Sequence, residues 1–481
     1  MMKIRILFVS LLVATCFFAF ASPDGTDIKV KYKSYKNDIV ILGFYSGKNM
    51  YVKDTFDVNA KGELHINYKE ELDGGLYFLA IPNIGYFDLV ITEAEISLQT
   101  SQPDFIASMK VIKSEENKLL YNYQSYMRTQ YNKKVALQKR LDANKGNEDS
   151  LQIIREELVQ LDELIKTFKE NLFVTGKDLF ATKIIKATEE PRPRGRNEGE
   201  DDKDYNEYLY AFYQNHYLDN IDFSDERIMR TPVFEPRIDK FINELSMRQP
   251  DSVSASCQRV IDRSLQNKEV FKFTLTKLFN KYAKFKYMGD ETVVFQLAMK
   301  YYIPKIADWV DSAQYAKIYD RTAKMQYNMM GMKAKELIMQ DSLGDYHSLH
   351  AMKSKYTILV FWDETCGTCR KSMREIKEFY NQTPRDSVDV YAVNIGRDLP
   401  AWRAYQVKHN LKFTNVVDTK DFNNYRVNYD VFSFPIIYVL DEEKKIVARK
   451  IPASSLEDFI NMLEGKGKAM KPLESEEKGE F

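Results

Sequence analysis

The spacing of apolar and polar residues divides the chain into three regions of different secondary structure. In residues 22–105, apolar and polar side chains alternate over short stretches, most clearly at residues 28–32 and 64–68. Alternation with a period of two residues predicts half-buried β-strands. We therefore predict a small β-sandwich-like domain over residues 22–105.

From residue 106 to residue 324 the apolar residues recur every three or four positions, which predicts an all-α domain. A turn at residues 145–147 separates two predicted helices, so we expect an antiparallel helical hairpin. Packing within the chain is favoured over a coiled-coil dimer, because the apolar seam is short. The second helix carries this seam in the series Leu151, Ile154, Leu158, Leu161, Ile165 and Phe168.

Two other segments interrupt the helical pattern. Residues 189–204 combine prolines, glycines, arginines and acids, and this composition predicts a solvated, charged loop rather than a metal site. The loop precedes a cluster of aromatic residues for which core packing of a helix is favoured over lining of a binding groove. The cluster consists of Tyr205, Tyr208, Tyr210, Phe212, Tyr213 and Tyr217.

In residues 325–466, predicted strands alternate with predicted helices, a pattern typical of an α/β sheet. The strands are indicated by short apolar runs and the helices by longer periodic segments. The predicted strands are 358–362, 388–393, 415–418, 436–440 and 445–450, and the predicted helices begin near residues 370, 399 and 455.

A pair of cysteines, Cys366 and Cys369, lies between the first apolar run and the first helix of this region. If the helix begins near Cys366, its free N–H groups and positive dipole end favour a thiolate there. Cβ atoms at this helical spacing are about 5–6 Å apart, which is close enough for a disulfide after small adjustments. We therefore predict a redox-active dithiol. A structural disulfide and a zinc site that includes His347 and His350 are the alternatives; no metal is predicted.

The order of these motifs resembles the TlpA/ResA branch of the thioredoxin-like family over about residues 325–463. Residues 337–349 fit the β-hairpin that this branch places before its first core strand. The resemblance implies a thiol-disulfide oxidoreductase that favours reduction and acts on protein disulfides. It also implies a membrane electron donor of the DsbD or CcdA type, and no cofactor besides the Cys366–Cys369 disulfide.

The same resemblance assigns roles to individual residues. It implies that Cys366 is the nucleophile and that Cys369 is the resolving cysteine. A cis-proline at position 435 would expose the backbone of the preceding residue to an extended substrate chain. The predicted substrate-binding residues are Phe434, Pro435, Trp362, Gly367 and Thr368.

The sequence also departs from the family pattern. Val360 occupies the position six residues before the first cysteine, where thioredoxins often carry a buried acid, so no proton acceptor is assigned there. Thr365 replaces a tryptophan, and Arg374 stands where a helix-kinking proline is common. Asp363 and Glu364 lie close to the pair, and their negative charge would raise the pKa of a nearby thiol against the effect of the helix dipole.

The N-terminus predicts export from the cytoplasm. Lys3 and Arg5 precede the apolar residues 6–21, which end in a small-residue cleavage site. Residues 1–21 are therefore predicted to be a signal peptide, and the mature chain is expected in the periplasm or cell envelope. Lipid anchoring through Cys16 is disfavoured, because its neighbours fit a lipoprotein signal poorly.

Removal of this segment leaves three cysteines, so the fold does not depend on a disulfide scaffold. Cys257 is predicted to be a half-buried helical side chain. The chain has 70 Lys and Arg and 70 Asp and Glu residues, which gives no electrostatic indication of nucleic-acid binding. The charged residues 467–481 are predicted to be a loose tail.

The sequence therefore predicts a periplasmic enzyme that reduces disulfides of envelope proteins. A peroxidase on the same fold is disfavoured, since Thr365 directly precedes Cys366 and the threonine–proline pattern of peroxiredoxins is absent. The alternative from another class is a non-catalytic envelope adaptor that binds a partner and carries a vestigial thioredoxin-like domain.

Overall fold

The computed structural model describes residues 25–284 and 289–466. The predicted signal peptide, the predicted lipid-anchoring residue Cys16 and the predicted tail at residues 467–481 lie outside the described residues.

The described residues form two compact units. One contains residues 25–194 and 219–237, and the other contains residues 195–218 and 238–466. The predicted boundary after residue 324 lies within the second unit, which therefore combines helices of the central region with the C-terminal α/β region.

Residues 25–113 form two four-stranded sheets. The strands are Thr26–Tyr32 (β1), Asp38–Ser46 (β2), Asn49–Val58 (β3), Glu63–Tyr68 (β4), Gly75–Ile81 (β5), Gly85–Ile91 (β6), Glu95–Thr100 (β7) and Lys110–Lys113 (β8). Their order is β4-β1-β7-β8 in one sheet and β3-β2-β5-β6 in the other. Alternate side chains of both sheets, such as Ile28, Leu42 and Leu79, share one apolar core. The predicted β-sandwich-like fold is thereby confirmed.

The last strand, β8, lies beyond residue 105, where the sequence pattern places the end of this domain. It pairs antiparallel with β7, and Val111 lies opposite Leu98. Its side chains are largely exposed, so the strand lacks the alternation of buried residues that marks the earlier strands.

Helices dominate the central region. They are Glu115–Ala143 (α1), Glu148–Thr175 (α2), Phe180–Thr188 (α3), Asp202–His216 (α4), Phe234–Asn243 (α5), Pro250–Ser264 (α6), Lys268–Tyr282 (α7), Asp290–Leu297 (α8) and Ser312–Met325 (α9). A 3₁₀ turn at Glu226–Arg230 and a π-helical turn at Ala298–Tyr302 lie between them.

Helices α1 and α2 form the predicted antiparallel hairpin. Ser114 caps the N-terminus of α1 by accepting a hydrogen bond from the backbone N–H of Asn117. The rings of Tyr126 on α1 and Phe168 on α2 stack with centroids 3.7 Å apart. Nearer the turn, Arg140 of α1 pairs with Glu157 of α2 at 2.7 Å, so the two helices run in opposite directions.

The aromatic residues of α4 correct one sequence-based expectation. Helix α4 has no buried residue, so the prediction that this helix packs into a core is wrong. Its aromatic rings instead contact one another along a partly exposed face, as between Tyr208 and Phe212 with centroids 5.9 Å apart. Of the six aromatic residues in the predicted cluster, only Tyr217, which follows the helix, is buried.

The C-terminal region is a seven-stranded mixed sheet in the order β10-β9-β13-β12-β11-β14-β15. Its strands are Ile338–Gln340 (β9), Tyr346–Ser348 (β10), Tyr356–Trp362 (β11), Val388–Asn394 (β12), Thr414–Val417 (β13), Ile436–Leu440 (β14) and Ile446–Arg449 (β15). Its helices are Gly367–Gln382 (α10), Leu399–His409 (α11), Tyr425–Asn428 (α12) and Leu456–Leu463 (α13).

Strand β11 lies at the centre of the sheet, and its direction determines at which edge of the sheet the loop that follows it lies. All seven residues of β11 are buried, and the strand pairs parallel with β12 and antiparallel with β14. Strands β11, β12 and β13 run parallel, so their carboxyl ends lie at one edge of the sheet. The segment that precedes β14 reaches the same edge, because Phe361 lies opposite Ile436. Ligand sites in α/β sheets usually lie at this edge.

Candidate active site

The first cysteine of the pair lies at the N-terminus of α10. Cys366 is the N-cap residue, and its sulfur accepts a hydrogen bond from the backbone N–H of Cys369 at 3.2 Å. A turn connects β11 to this position, since the N–H of Cys366 donates to the carbonyl of Asp363 at 3.2 Å. Helix N–H groups and the helix dipole stabilise a negative charge at such a site. Helix α10 therefore begins three residues before the predicted start near residue 370, and the condition for a stabilised thiolate at Cys366 is met.

The second cysteine lies in a different environment. Cys369 is fully buried, whereas Cys366 is partly exposed. Burial raises the pKa of the Cys369 thiol to about 12, and the hydrogen bond with Cys366 and the charge of Asp363 act in the same direction. A backbone hydrogen bond from Asp363 opposes this rise. Only the first sulfur is therefore accessible to a large disulfide.

The segment before β14 lies beside the accessible sulfur. The peptide bond between Phe434 and Pro435 is cis. The carbonyl oxygen of Phe434 lies 4.0 Å from the sulfur of Cys366. The Phe434 side chain is 41% exposed. The structure thus brings together the two parts of the predicted site, although 68 residues separate them along the chain.

Three further residues were predicted to contact a substrate, and the structure separates them into two groups. Gly367 and Thr368 are exposed in the first turn of α10. Trp362 is 0% exposed, and its ring packs against Tyr405 with centroids 5.3 Å apart. Trp362 is thus a core residue beneath the pair, because β11 is the central strand of the sheet. A direct contact between Trp362 and substrate is not compatible with this burial.

The acids before the cysteines differ in environment. The carboxylate of Asp363 accepts hydrogen bonds from the backbone N–H and the hydroxyl of Thr365, at 2.7 and 2.5 Å. Glu364 is buried and accepts a hydrogen bond from the Asn394 side chain at 2.7 Å. A Cβ atom at Gly396 would lie 2.8 Å from the Glu364 carboxylate, so a larger residue there would force this buried carboxylate to move.

Sequence reasoning missed the contact between Glu364 and Asn394. A signal for it was present, since Asn394 is a polar residue at the carboxyl end of the buried strand β12. Such a residue lies at the same sheet edge as the loop that follows β11. Val360, which replaces the acid common in thioredoxins, is fully buried in the apolar core.

The other candidate groups from the sequence lie outside this arrangement. Cys257 is fully buried within α6, more completely than predicted, and burial raises its pKa to about 12. The His347 side chain hydrogen-bonds to Asp341 at 2.9 Å. The His350 side chain hydrogen-bonds to the carbonyl of Ala334 at 2.8 Å. In the described parts of the chain, His, Cys, Asp and Glu form no cluster of three or more that could hold a metal.

Comparison with known families identifies two regions. Residues 330–449 match the AhpC/TSA family, and residues 204–328 match a domain of unknown function, DUF5106. These two matched regions lie largely within the second compact unit.

Similar proteins are found for the C-terminal region. The thiol-disulfide oxidoreductase ResA of Bacillus subtilis (strain 168) is 25% identical over 136 residues, which cover 28% of this chain and 75% of ResA. Sporulation thiol-disulfide oxidoreductase A of the same organism is 30% identical over 110 residues, which cover 22% of this chain and 66% of that protein. A solved domain of a possible thiol-disulfide isomerase from Cytophaga hutchinsonii ATCC 33406 is 33% identical; the match covers 28% of this chain and 94% of that one, with a TM-score of 0.27.

The mixed sheet, the AhpC/TSA match and the similarity to ResA define the class of the C-terminal region, which is a thioredoxin-like domain similar to thiol-disulfide oxidoreductases. Within this class, the predicted resemblance to ResA-type thiol-disulfide oxidoreductases is confirmed.

Proposed function

We propose that the mature chain is a periplasmic thiol-disulfide oxidoreductase that reduces disulfides of envelope proteins through Cys366 and Cys369. The observation that best supports this proposal is the partly exposed sulfur of Cys366 at the start of α10, next to the carbonyl of Phe434. An exposed sulfur at a helix N-terminus favours the attacking role, and the buried Cys369 suits the resolving role.

The proposed reaction has two exchange steps. The thiolate of Cys366 attacks one sulfur of a substrate disulfide, the substrate S–S bond breaks, and one substrate sulfur leaves as a thiolate. The deprotonated sulfur of Cys369 then attacks Cys366 and releases the second substrate thiolate, which takes up a proton. Two electrons pass to the substrate, and the chain is left with a Cys366–Cys369 disulfide.

Substrate contacts are proposed for the surface around the accessible sulfur. An extended substrate chain would lie against the backbone of Phe434 and Pro435 and contact Gly367 and Thr368 in the first turn of α10. Exposure of Phe434, Gly367 and Thr368 supports this arrangement. Trp362 is omitted from the proposed contacts because it is buried.

The proposed location rests on the N-terminal segment, and the proposed electron supply rests on the resemblance to the TlpA/ResA branch. The N-terminal segment supports export to the periplasm, which is kept oxidising. Continued reduction there requires electrons from the cytoplasmic side, and we propose a membrane donor of the DsbD or CcdA type. Within residues 25–284 and 289–466, no helix is both long enough and apolar enough to cross a bilayer.

The test is reduction of insulin by the purified mature chain with dithiothreitol as electron source. We expect Cys366→Ser to abolish catalysis and Cys369→Ser to accumulate mixed disulfides that can be isolated from envelope extracts. Cys257→Ala serves as the matched control and should retain activity. Activity in Cys366→Ser would refute the nucleophile assignment. An inactive wild-type chain that forms no mixed disulfide would favour the non-catalytic adaptor.

A further inference from the structure

Helices that match the domain of unknown function contact the C-terminal region through a cluster of charged side chains, most of which are buried. The cluster contains two carboxylates and three cations from four separate segments of the second unit. Its members are Glu291 of α8, Arg321 of α9, Asp430, Arg449 of β15 and Lys450.

Asp430 is the centre of this cluster. One of its carboxylate oxygens lies 3.3 Å from the guanidinium of Arg321. The other oxygen lies 3.1 Å from the ammonium of Lys450 and 3.9 Å from the guanidinium of Arg449. The Asp430 side chain is only 2% exposed, so its charge depends on these partners rather than on water.

The cluster extends to the first turn of α8. The guanidinium of Arg449 lies 3.4 Å from the carboxylate of Glu291, and the two side chains are 2% and 4% exposed. Glu291 also accepts the backbone N–H of Gly289 at 3.0 Å. Buried charges need specific partners in a fixed geometry, and such pairs fix the register of the elements that carry them.

Asp430 is also close along the chain to the segment that approaches the accessible cysteine. It is four residues before Phe434, whose carbonyl lies 4.0 Å from the sulfur of Cys366. Asp430 has a φ of 51°, in the left-handed region, and its carbonyl accepts the N–H of Phe432 at 3.1 Å. The position of Asp430 therefore constrains the short segment that approaches the sulfur.

Helix α9 makes a second contact with this segment. The ammonium of Lys324 lies 5.1 Å from the ring centroid of Phe432, a cation–π geometry. The Phe432 side chain is 62% exposed. Two cations one turn apart on α9, Arg321 and Lys324, thus contact the segment between Asp430 and Phe434.

We infer that Arg321, supported by Lys324, is a positioning residue that holds residues 430–434 in place beside Cys366. This inference rests on the proposed function where it concerns turnover. It assigns a role to part of the region that matches DUF5106: its last helix determines how firmly the substrate-facing backbone is held.

The test compares Arg321→Met with Lys317→Met in the mature chain. Lys317 is an exposed cation one turn earlier on the same helix, so it is the matched control. We expect Arg321→Met to accelerate amide hydrogen exchange in a peptide covering residues 427–434 by about fivefold. Insulin reduction should lose about tenfold in kcat/KM, mainly through KM, because the backbone contact is misplaced. Alkylation of Cys366 by iodoacetamide, which needs no such contact, should change less than about twofold.

Two further variants separate positioning from folding. Arg321→Lys retains the charge and should recover part of the kcat/KM that Arg321→Met loses. Lys324→Met should lower kcat/KM and accelerate exchange as Arg321→Met does, but by a smaller factor. Equal rates of amide hydrogen exchange in residues 427–434 of Arg321→Met and Lys317→Met would overturn the inference. Faster exchange in Arg321→Met with an unchanged kcat/KM would also overturn it. An inactive wild-type chain would refute the proposed function, and the exchange data alone would then decide whether Arg321 holds the segment.

Discussion

The environment of Cys369 leads to a prediction about the second step of the reaction. Its sulfur must lose a proton before it can attack the mixed disulfide, yet burial raises its pKa from 9.0 to about 12. Each pKa unit above 9.0 lowers the thiolate fraction at pH 7 about tenfold below the value of about one in 10² for a thiol of pKa 9.0. Resolution should therefore be the slow step near neutral pH.

The variant Cys366→Ala in a Cys257→Ala background isolates this thiol. In the mixed disulfide Cys366 carries neither a proton nor a charge, so the variant reproduces the electrostatic surroundings of the resolving step. The hydrogen bond between the two sulfurs is lost, but burial, the largest cause of the shift, remains. We therefore expect a pKa above 9.0 but below 12 for Cys369.

The assay follows thiolate absorbance near 240 nm against pH, with the same chain carrying Cys369→Ala as the blank. Stopped-flow measurement of substrate release from the mixed disulfide should show a rate that increases about tenfold per pH unit between pH 6 and pH 9, because the thiolate fraction does. A titration midpoint for Cys369 at or below pH 9.0 would refute this reasoning. A rate of substrate release that is independent of pH between pH 6 and pH 9 would refute it as well.

Two substitutions near the pair give further predictions. Gly396→Ala should destabilise the protein by about 1–3 kcal/mol in urea unfolding, because the new Cβ displaces the buried Glu364 carboxylate. Gly367→Ala is the control, since a Cβ at that position would have no atom within 4 Å. Equal losses of unfolding free energy in the two variants would contradict this explanation. Asp363→Asn removes a negative charge that raises the pKa of Cys369. The pKa of Cys369 should therefore fall in this variant, and substrate release at pH 7 should accelerate. Slower release would show that the Asp363 carboxylate assists the proton transfer instead.

Elements defined by neighbouring residues could be predicted from the sequence. Helix α11 at Leu399–His409 and strand β14 at Ile436–Leu440 have the predicted bounds, since apolar periodicity and flanking turn residues determine both. The start of α10 was predictable to within three residues, because a helix that follows a buried strand in an α/β sheet begins at the sheet edge.

Contacts between distant residues could not be predicted in this way. Trp362 is the last residue of an apolar run, and its burial is determined by helix α11 and Tyr405, which packs on it. Asp430 and Arg449 look like surface charges in the sequence, but both are buried where they pair with Arg321 of α9 and Glu291 of α8. Helix α4 shows the opposite case, because its aromatic periodicity predicts burial but its rings stack on one another and stay partly exposed.

The central claim is that Cys366 and Cys369 form a reversible dithiol–disulfide couple, and differential alkylation of the mature chain across a dithiothreitol redox series tests it most directly. The proposed function predicts that both cysteines become protected together, in a two-electron transition, and that mass spectrometry finds a peptide in which they are linked. Cys257 should stay unlinked throughout. Independent titration of the two cysteines, or a chain in which they never link, would contradict the proposed function.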